Sequence, residues 1–263
     1  MSVHDSGIDP DGELWVRRFH PVGGAPVRLV CLPHAGGTAS FFFSYARVLA
    51  AGADVLAVQY PGRQDRRHEP ALTSVGALAD RVFEVLWPYD DLPLVLFGHS
   101  MGGIVGFEVA RRMERAGRPV AGLIVSGRRA PDVYAADDVH TRGDQALIAE
   151  MSALSGTDPG VLADEEILRM VLPALRADFT AIETYRYRPD GARAPLSCPL
   201  SVLTGESDPR VAVGEAMAWR DFTRGAFTFR SFPGGHFFLT PQQDAVTAAI
   251  ADDLGRLVQP AAR

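Results

Sequence analysis

The stretch Gly98-His99-Ser100-Met101-Gly102 follows directly on the apolar run Leu94-Val95-Leu96-Phe97 and leads straight into a helical pattern. A short buried strand that passes through G-x-S-x-G into a helix leaves few folds open to a chain. The turn must be tight and strained, with the serine held up at the C-terminal edge of a sheet. The glycines on either side are needed because a Cβ there would meet the neighbouring strand or helix. The helix is legible at once: Ile104, Val105, Phe107, Val109 and Ala110 are apolar, Glu108, Arg111, Arg112, Glu114 and Arg115 are charged, and Gly117 is a C-cap signal. Taken alone the motif has a plain alternative, a strand-to-helix turn with a serine N-cap and no chemistry. The remainder of the chain has to decide between them.

That remainder alternates short apolar strands with amphipathic helices, which predicts a mostly parallel sheet covered on both faces. Strands are expected at 27–33, 54–60, 94–97, 120–126, 199–204 and 227–232, with an edge strand at 15–20. Helices are expected at 41–50, 75–87 and 241–258. Between 128 and 188 no strand-like run occurs; 144–154 and 165–187 read as helices, the second interrupted by Pro173. A crossover between parallel strands needs only about a dozen residues. The longer insertion therefore reads as a helical lid over the strand C-termini, with ordinary but lengthened crossover helices as the alternative. The 263 residues fit one α/β domain.

Composition removes several function classes. No apolar run approaches the roughly 18 residues of a membrane span, and the polar, acidic residues 1–11 do not form a secretory signal. A net charge of −6 gives no reason to expect nucleic acid binding. Of the two cysteines, Cys31 lies in an apolar strand and Cys198 precedes Pro199. Both read as buried free thiols, which fits a reducing, cytoplasmic setting. No Cys/His spacing suggests a metal site. The chain contains no lysine, so its 26 basic residues are all arginine and side-chain Schiff-base chemistry is excluded.

A serine nucleophile needs a base within hydrogen-bond reach, and the base needs an orienting acid. The strand ending at Thr204 runs into Gly205-Glu206-Ser207-Asp208-Pro209, which offers Asp208 as the acid and Glu206 as its rival. The strand ending at Phe232 runs into Pro233-Gly234-Gly235-His236, where two glycines permit a sharp turn and His236 emerges as the base. The order Ser100, Asp208, His236 is that of α/β-hydrolases. An oxyanion hole needs two backbone N–H groups. Met101, first in the helix after the serine, offers one, with the partial positive charge of the helix end beside it. The loop Pro33-His34-Ala35-Gly36-Gly37 offers the other, from Ala35 or its neighbour Gly36. His34 is either a second base or a side chain that fixes this loop by hydrogen bonding.

Taken together, Leu32-Pro33-His34-Ala35-Gly36-Gly37 followed by aromatics, Tyr60-Pro61-Gly62-Arg63 followed by Arg66, Gly98-His99-Ser100-Met101-Gly102-Gly103, Thr204-Gly205 with Asp208, and Gly235-His236-Phe237 resemble the type II, editing thioesterases of polyketide and nonribosomal peptide synthases. The resemblance runs from about Val27 to about Leu254 and is weakest over the lid. It implies the α/β-hydrolase fold, the triad Ser100, Asp208 and His236, and the Ala35 and Met101 amides as oxyanion hole. It also implies hydrolysis of acyl thioesters on the phosphopantetheine arm of acyl or peptidyl carrier proteins, clearing stalled or aberrant groups. No cofactor is implied beyond the pantetheine that the substrate brings.

On this view the lid walls an acyl chamber with Leu147, Met151, Leu154, Met170 and Leu172, unless these side chains merely pack the lid helices together. A closed lid would exclude bulk water during acyl loading. Carrier proteins are generally acidic, so Arg63, Arg66, Arg67, Arg128 and Arg129 are candidates for docking them, against the alternative of a solvated surface. A monomer is expected. Two other enzyme readings remain: a carboxylesterase or lipase acting on oxygen esters with the same triad, and a releasing thioesterase domain at the end of a synthase. The start at Met1 with no carrier motif before the first inner strand favours a free-standing protein. A catalytically silent hydrolase-fold module that binds acyl ligands is disfavoured by the intact Ser, Asp and His.

Overall fold

The computed structural model describes residues 10–135, 137–154, 164–189 and 195–258. Within them one sheet is built from β1 (Val16–Arg17), β2 (Arg28–Leu32), β3 (Asp54–Val58), β4 (Leu94–His99), β5 (Gly122–Ser126), β6 (Leu200–Gly205) and β7 (Phe227–Phe232). The strands lie in the order β1-β3-β2-β4-β5-β6-β7, with β1 antiparallel to β3 and the others parallel. Strands β2 to β6 are buried along their whole length, in keeping with their largely apolar sequences.

Alternation along each strand separates two cores. Val30 and Leu32 of β2, Leu94 and Leu96 of β4 and Leu123 and Val125 of β5 pack beneath the helices Val75–Leu86 and Met101–Arg115. Their neighbours Leu29, Cys31, Val95, Phe97 and Ile124 pack on the opposite face, against the helices Phe43–Leu49 and Gln243–Val258. The parallel register pairs Leu32 with Gly98 and His99 with Ser126. The loops that leave β2, β4, β5, β6 and β7 therefore open on one edge of the sheet, and that edge carries the site.

Several expectations shift in detail. The edge strand expected at 15–20 is reduced to Val16–Arg17, because Trp15 closes the short helix Pro10–Trp15 and is buried in the core. The helix Glu165–Glu183 continues through Pro173 instead of breaking there. A proline inside a helix removes the bond to the carbonyl four residues earlier. Here that carbonyl belongs to Arg169, and both residues face solvent, where water can satisfy it. Of the segment expected as a lid, residue 136 and residues 155–163 lie outside the described residues. Among the described residues, no helix is long and apolar enough to cross a membrane. Cys31 and Cys198 are free and buried, and burial pushes the Cys198 thiol up to about 12 and Cys31 higher still.

Candidate active site

Ser100 sits between β4 and the helix Met101–Arg115 with φ 52° and ψ −116°, a conformation an L-residue rarely adopts. Its N–H is anchored to the Ser126 carbonyl at 2.8 Å, and its own carbonyl accepts from Gly103 at 3.0 Å. A Cβ on Gly98 would overlap the Gly102 carbonyl, and one on Gly102 would overlap the Leu32 carbonyl. The strand, the helix and β2 thus meet at backbone-to-backbone distance, and the turn lifts the Ser100 side chain to the sheet edge.

The structure brings the three expected side chains together. His236 Nε2 lies 3.0 Å from Ser100 Oγ, and His236 Nδ1 lies 2.9 Å from Asp208 Oδ2. The Asp208 side chain is fully buried, and its second oxygen accepts the Arg210 N–H at 2.8 Å. A carboxylate held this way favours the His236 tautomer with hydrogen on Nδ1, which leaves Nε2 free to take the serine proton. Glu206, the rival acid, is exposed and faces Ser231 at 3.4 Å instead.

The loop after β2 is fixed by a buried ion pair. Arg63 Nη1 and Nη2 donate to Asp178 Oδ2 and Oδ1 at 2.7 and 2.8 Å, with both side chains almost wholly shielded from solvent. Asp178 Oδ2 also accepts the Gly36 N–H at 2.7 Å, and Arg63 Nη1 donates to the Gly37 carbonyl at 3.0 Å. The Gly37 N–H closes a turn onto the His34 carbonyl at 2.9 Å. Of the two amides weighed for the oxyanion hole, that of Gly36 is therefore occupied. The Ala35 N–H has no acceptor among the described residues, and Ala35 lines the same cavity as Ser100. As the first residue of its helix, Met101 contributes an N–H from the unsatisfied helix end.

Sequence reasoning did not find Asp178. The signal was present: it falls between Leu175, Phe179 and Ile182 on the buried face of an amphipathic helix, where a carboxylate needs a partner. His34 does not tie the loop through its ring Nδ1, which is buried without a hydrogen bond. The ring instead packs edge-on against Phe41 and Phe237. His99, also unanticipated, lies fully buried beneath His236, with ring centroids 5.1 Å apart and Nδ1 3.1 Å from Ser126 Oγ.

Burial, reinforced by the neighbouring His236, pushes His34 down to about 3 and His99 well below the usual histidine range. Both are neutral when folded and charge readily when unfolded, so the unfolded chain binds more protons. For His34 this contribution to stability is complete above an unfolded pKa of about 6.5 and is lost as pH falls towards 3, and His99 acts in the same direction. Each site adds a slope of up to about 1.4 kcal/mol per pH unit in that window. Urea melts of the wild type and His34→Phe between pH 7 and 4.5 should show a shallower acid loss in the variant. Parallel curves would exclude His34 as a source.

The cavity above Ser100 is about 50 Å³ and is lined by Met151 and Leu154 of the helix Asp144–Leu154, by Phe179 and Ile182 of the helix Glu165–Glu183, and by His34, Ala35 and His236. Met151 and Leu154 thus sit where the sequence placed them. Leu147 is fully buried in the cluster that joins these helices, and Leu172 packs on it. Met170 does not reach the cavity: it is 52% exposed on the outer face of its helix, because the inner face is already taken by Leu175 and Phe179. The docking arginines also need correction. Arg63 is committed to Asp178, Arg66 to Glu69 and the Gln59 carbonyl, and Arg129 to the Arg210 carbonyl; all three are buried. Arg128 lines the cavity, and burial together with Arg129 pushes it down to about 10. Arg67 alone of the five is exposed.

The family model described as a thioesterase domain matches residues 27–254. The chain is 53% identical over 246 residues to the probable cadicidin biosynthesis thioesterase of Streptomyces griseus, covering 94% of this chain and 67% of the relative. It is 47% identical over 266 residues to thioesterase PikA5 of Streptomyces venezuelae, covering 97% and 94%. Among solved structures it resembles the type II thioesterase BorB from the borrelidin biosynthetic cluster, with 47% identity, a TM-score of 0.85, and coverage of 92% of this chain and 98% of that one.

Proposed function

Given that the chain belongs to the thioesterase-domain family, we propose that it is a stand-alone type II thioesterase that removes acyl groups from the phosphopantetheine arm of acyl or peptidyl carrier proteins in polyketide or nonribosomal peptide biosynthesis. The observation that carries this reading is the hydrogen-bonded series Ser100, His236 and Asp208 facing a cavity that Met151, Leu154, Phe179 and Ile182 line on one side and Arg128, Asp137, Glu183 and Arg210 on another. The pathway class is supported by YbtT, a type II thioesterase from the yersiniabactin NRPS/PKS pathway that this chain resembles with 31% identity and a TM-score of 0.83.

His236 Nε2 accepts the Ser100 proton as Oγ attacks the thioester carbonyl. Asp208 holds the imidazole and stabilises its charged form. The Ala35 and Met101 amides stabilise the tetrahedral oxyanion. The C–S bond breaks, and the pantetheine sulfur leaves with the proton returned by His236. Water then attacks the acyl-serine along the same path and releases the acid. The reaction needs no metal or cofactor from the protein. Since Ser100, His236, Asp208 and both amides belong to one chain, a monomer suffices. Arg67 is the remaining candidate from the docking set.

In this reading the two helices over Ser100 act as a lid. The cavity over Ser100 is narrow and opens to solvent. An acyl chain that enters it packs against the Met151, Leu154 and Phe179 side chains. Met151→Ala with Leu154→Ala should move the preference to longer chains, raising the kcat/KM ratio of octanoyl over butyryl thioester by about tenfold. An unchanged ratio would place the acyl chain elsewhere.

The function itself is tested by offering acyl-carrier thioesters of several chain lengths beside the matching acyl-pantetheine and p-nitrophenyl esters. Turnover on the carrier thioester is expected. Turnover confined to the oxygen ester would make the protein a general esterase, and a folded protein inert on every substrate would make it a binding module.

A further inference from the structure

The helix Glu165–Glu183 does two things at once. Through Phe179 and Ile182 it walls the cavity, and through Asp178 it grips the loop that carries Ala35. Leu175, one turn earlier, closes over Gly36 so tightly that a Cβ there would lie 2.8 Å from its Cδ1, and Gly36 holds a positive φ of 73°. Elsewhere the loop is held by the His34 ring, by the Gly37 turn onto the His34 carbonyl and, at its far end, by Gln59, whose Oε1 accepts the Ala39 N–H at 2.8 Å; the stretch that carries Ala35 and Gly36 depends on Asp178 and Arg63. From the other side Arg63, at the end of Tyr60-Pro61-Gly62-Arg63, fixes Asp178 by a two-pronged contact and the Gly37 carbonyl by a third bond. Burial penalises the Arg63 charge, and Asp178 more than offsets it, so the guanidinium stays charged.

We infer that Arg63 and Asp178 are positioning residues for the oxyanion hole: together they occupy the Gly36 amide and the Gly37 carbonyl so that the Ala35 N–H is left aimed at the carbonyl attacked by Ser100. The inference deepens the thioesterase reading and rests on it for the substrate, though not for the geometry. Two consequences follow from placing Asp178 on a helix of the cavity wall. An acyl chain that seats this helix correctly also sets the oxyanion loop. A helix displaced from the site takes with it the acceptor of the Gly36 amide and slows the chemistry without touching Ser100, His236 or Asp208.

The test must separate positioning from folding, because removal of one partner leaves a buried charge unpaired and destabilises the protein for that reason alone. Replacing both partners by apolar side chains of similar size avoids this, and such swaps of buried pairs are often tolerated. Arg63→Met with Asp178→Leu is therefore the main variant. We expect it to melt cooperatively and to keep KM for a butyryl-carrier thioester within a few-fold, while kcat falls about 10–100-fold, the size of effect a small misplacement of a catalytic group produces. Affinity for an alkyl boronic acid, which becomes a tetrahedral adduct on Ser100, should fall in parallel, while affinity for the planar carboxylic acid product should not. A structural role alone would lower the folded fraction and leave kcat per folded molecule and the boronate-to-acid ratio as in the wild type; that result overturns the inference. Should the double variant not fold, Arg63→Lys keeps the charge pair but cannot span both Asp178 oxygens and the Gly37 carbonyl. A drop of at least about tenfold in kcat and the same boronate loss are then expected, and wild-type values overturn the proposal. The boronate arm does not depend on the natural substrate. A wild type that hydrolyses no thioester would sink the functional reading while the boronate ratio still decides the role of the pair.

Discussion

Ser100→Ala is expected to lower the hydrolysis of an acyl-carrier thioester by about 10⁴–10⁶-fold, the range set by removing a serine that acts with its histidine as one unit. The variant should fold as the wild type does. Alanine keeps the Cβ that Ser100 already carries at φ 52°, and the anchoring bond from the residue 100 N–H to Ser126 is made by the backbone. KM should change little, because the cavity walls do not depend on the hydroxyl. Asp208→Asn should cost about 10⁴-fold by favouring the wrong tautomer of His236. A Ser100→Ala protein that keeps even a few per cent of wild-type turnover, with contamination excluded, would mean that another group attacks the thioester.

Gly102→Ala, and likewise Gly98→Ala, should abolish the folded state under ordinary conditions. The added methyl would collide with backbone carbonyls, of Leu32 in the first case and of Gly102 in the second. Neither can move aside as a side chain does, since both belong to β2 or to the helix start at the centre of the sheet. Costs above about 4–5 kcal/mol belong to a short set of mechanisms of this kind, and total stabilities are only about 5–15 kcal/mol. Gly76→Ala makes the contrast. It lies in the helix Val75–Leu86, where the nearest foreign atom to a new Cβ is 3.9 Å away, so the change should stabilise by up to about 1 kcal/mol. Thermal melts of the three variants check this. A Gly102→Ala protein melting within a few degrees of the wild type would mean that strand and helix do not meet as described.

The same crowding explains why the centre of the fold was legible before its structure was known. Apolar runs such as Leu94 to Phe97 have one place to go in an α/β chain, and G-x-S-x-G, Gly-Gly-His and the Asp208 loop each mark a strand leaving the same sheet edge. Triad geometry follows from that edge, because parallel strands deliver their C-termini together. What was not legible depends on neighbours distant in sequence. Arg63 read as a surface charge, yet it faces Asp178, 115 residues further along the chain. Met170 and Met151 look alike in a helical pattern, and only the packing of Leu175 and Phe179 decides which points inward. Asp208 was already the preferred acid over Glu206, and the turn sets Glu206 outward and Asp208 against His236. Pro173 signalled a break that solvent on its own side made unnecessary.

The two closed-off cysteines have a practical bearing on the chemistry. Cleaving a thioester liberates a thiol, and a coloured disulfide reagent reports each turnover by reacting with it. Cys31 is sealed within the sheet and Cys198 is nearly so, with burial keeping both protonated, whereas the reagent consumes thiolate. The folded catalyst is therefore silent in such an assay: its own sulfurs neither add background colour nor become blocked, and a slow rise in signal without substrate would report unfolding.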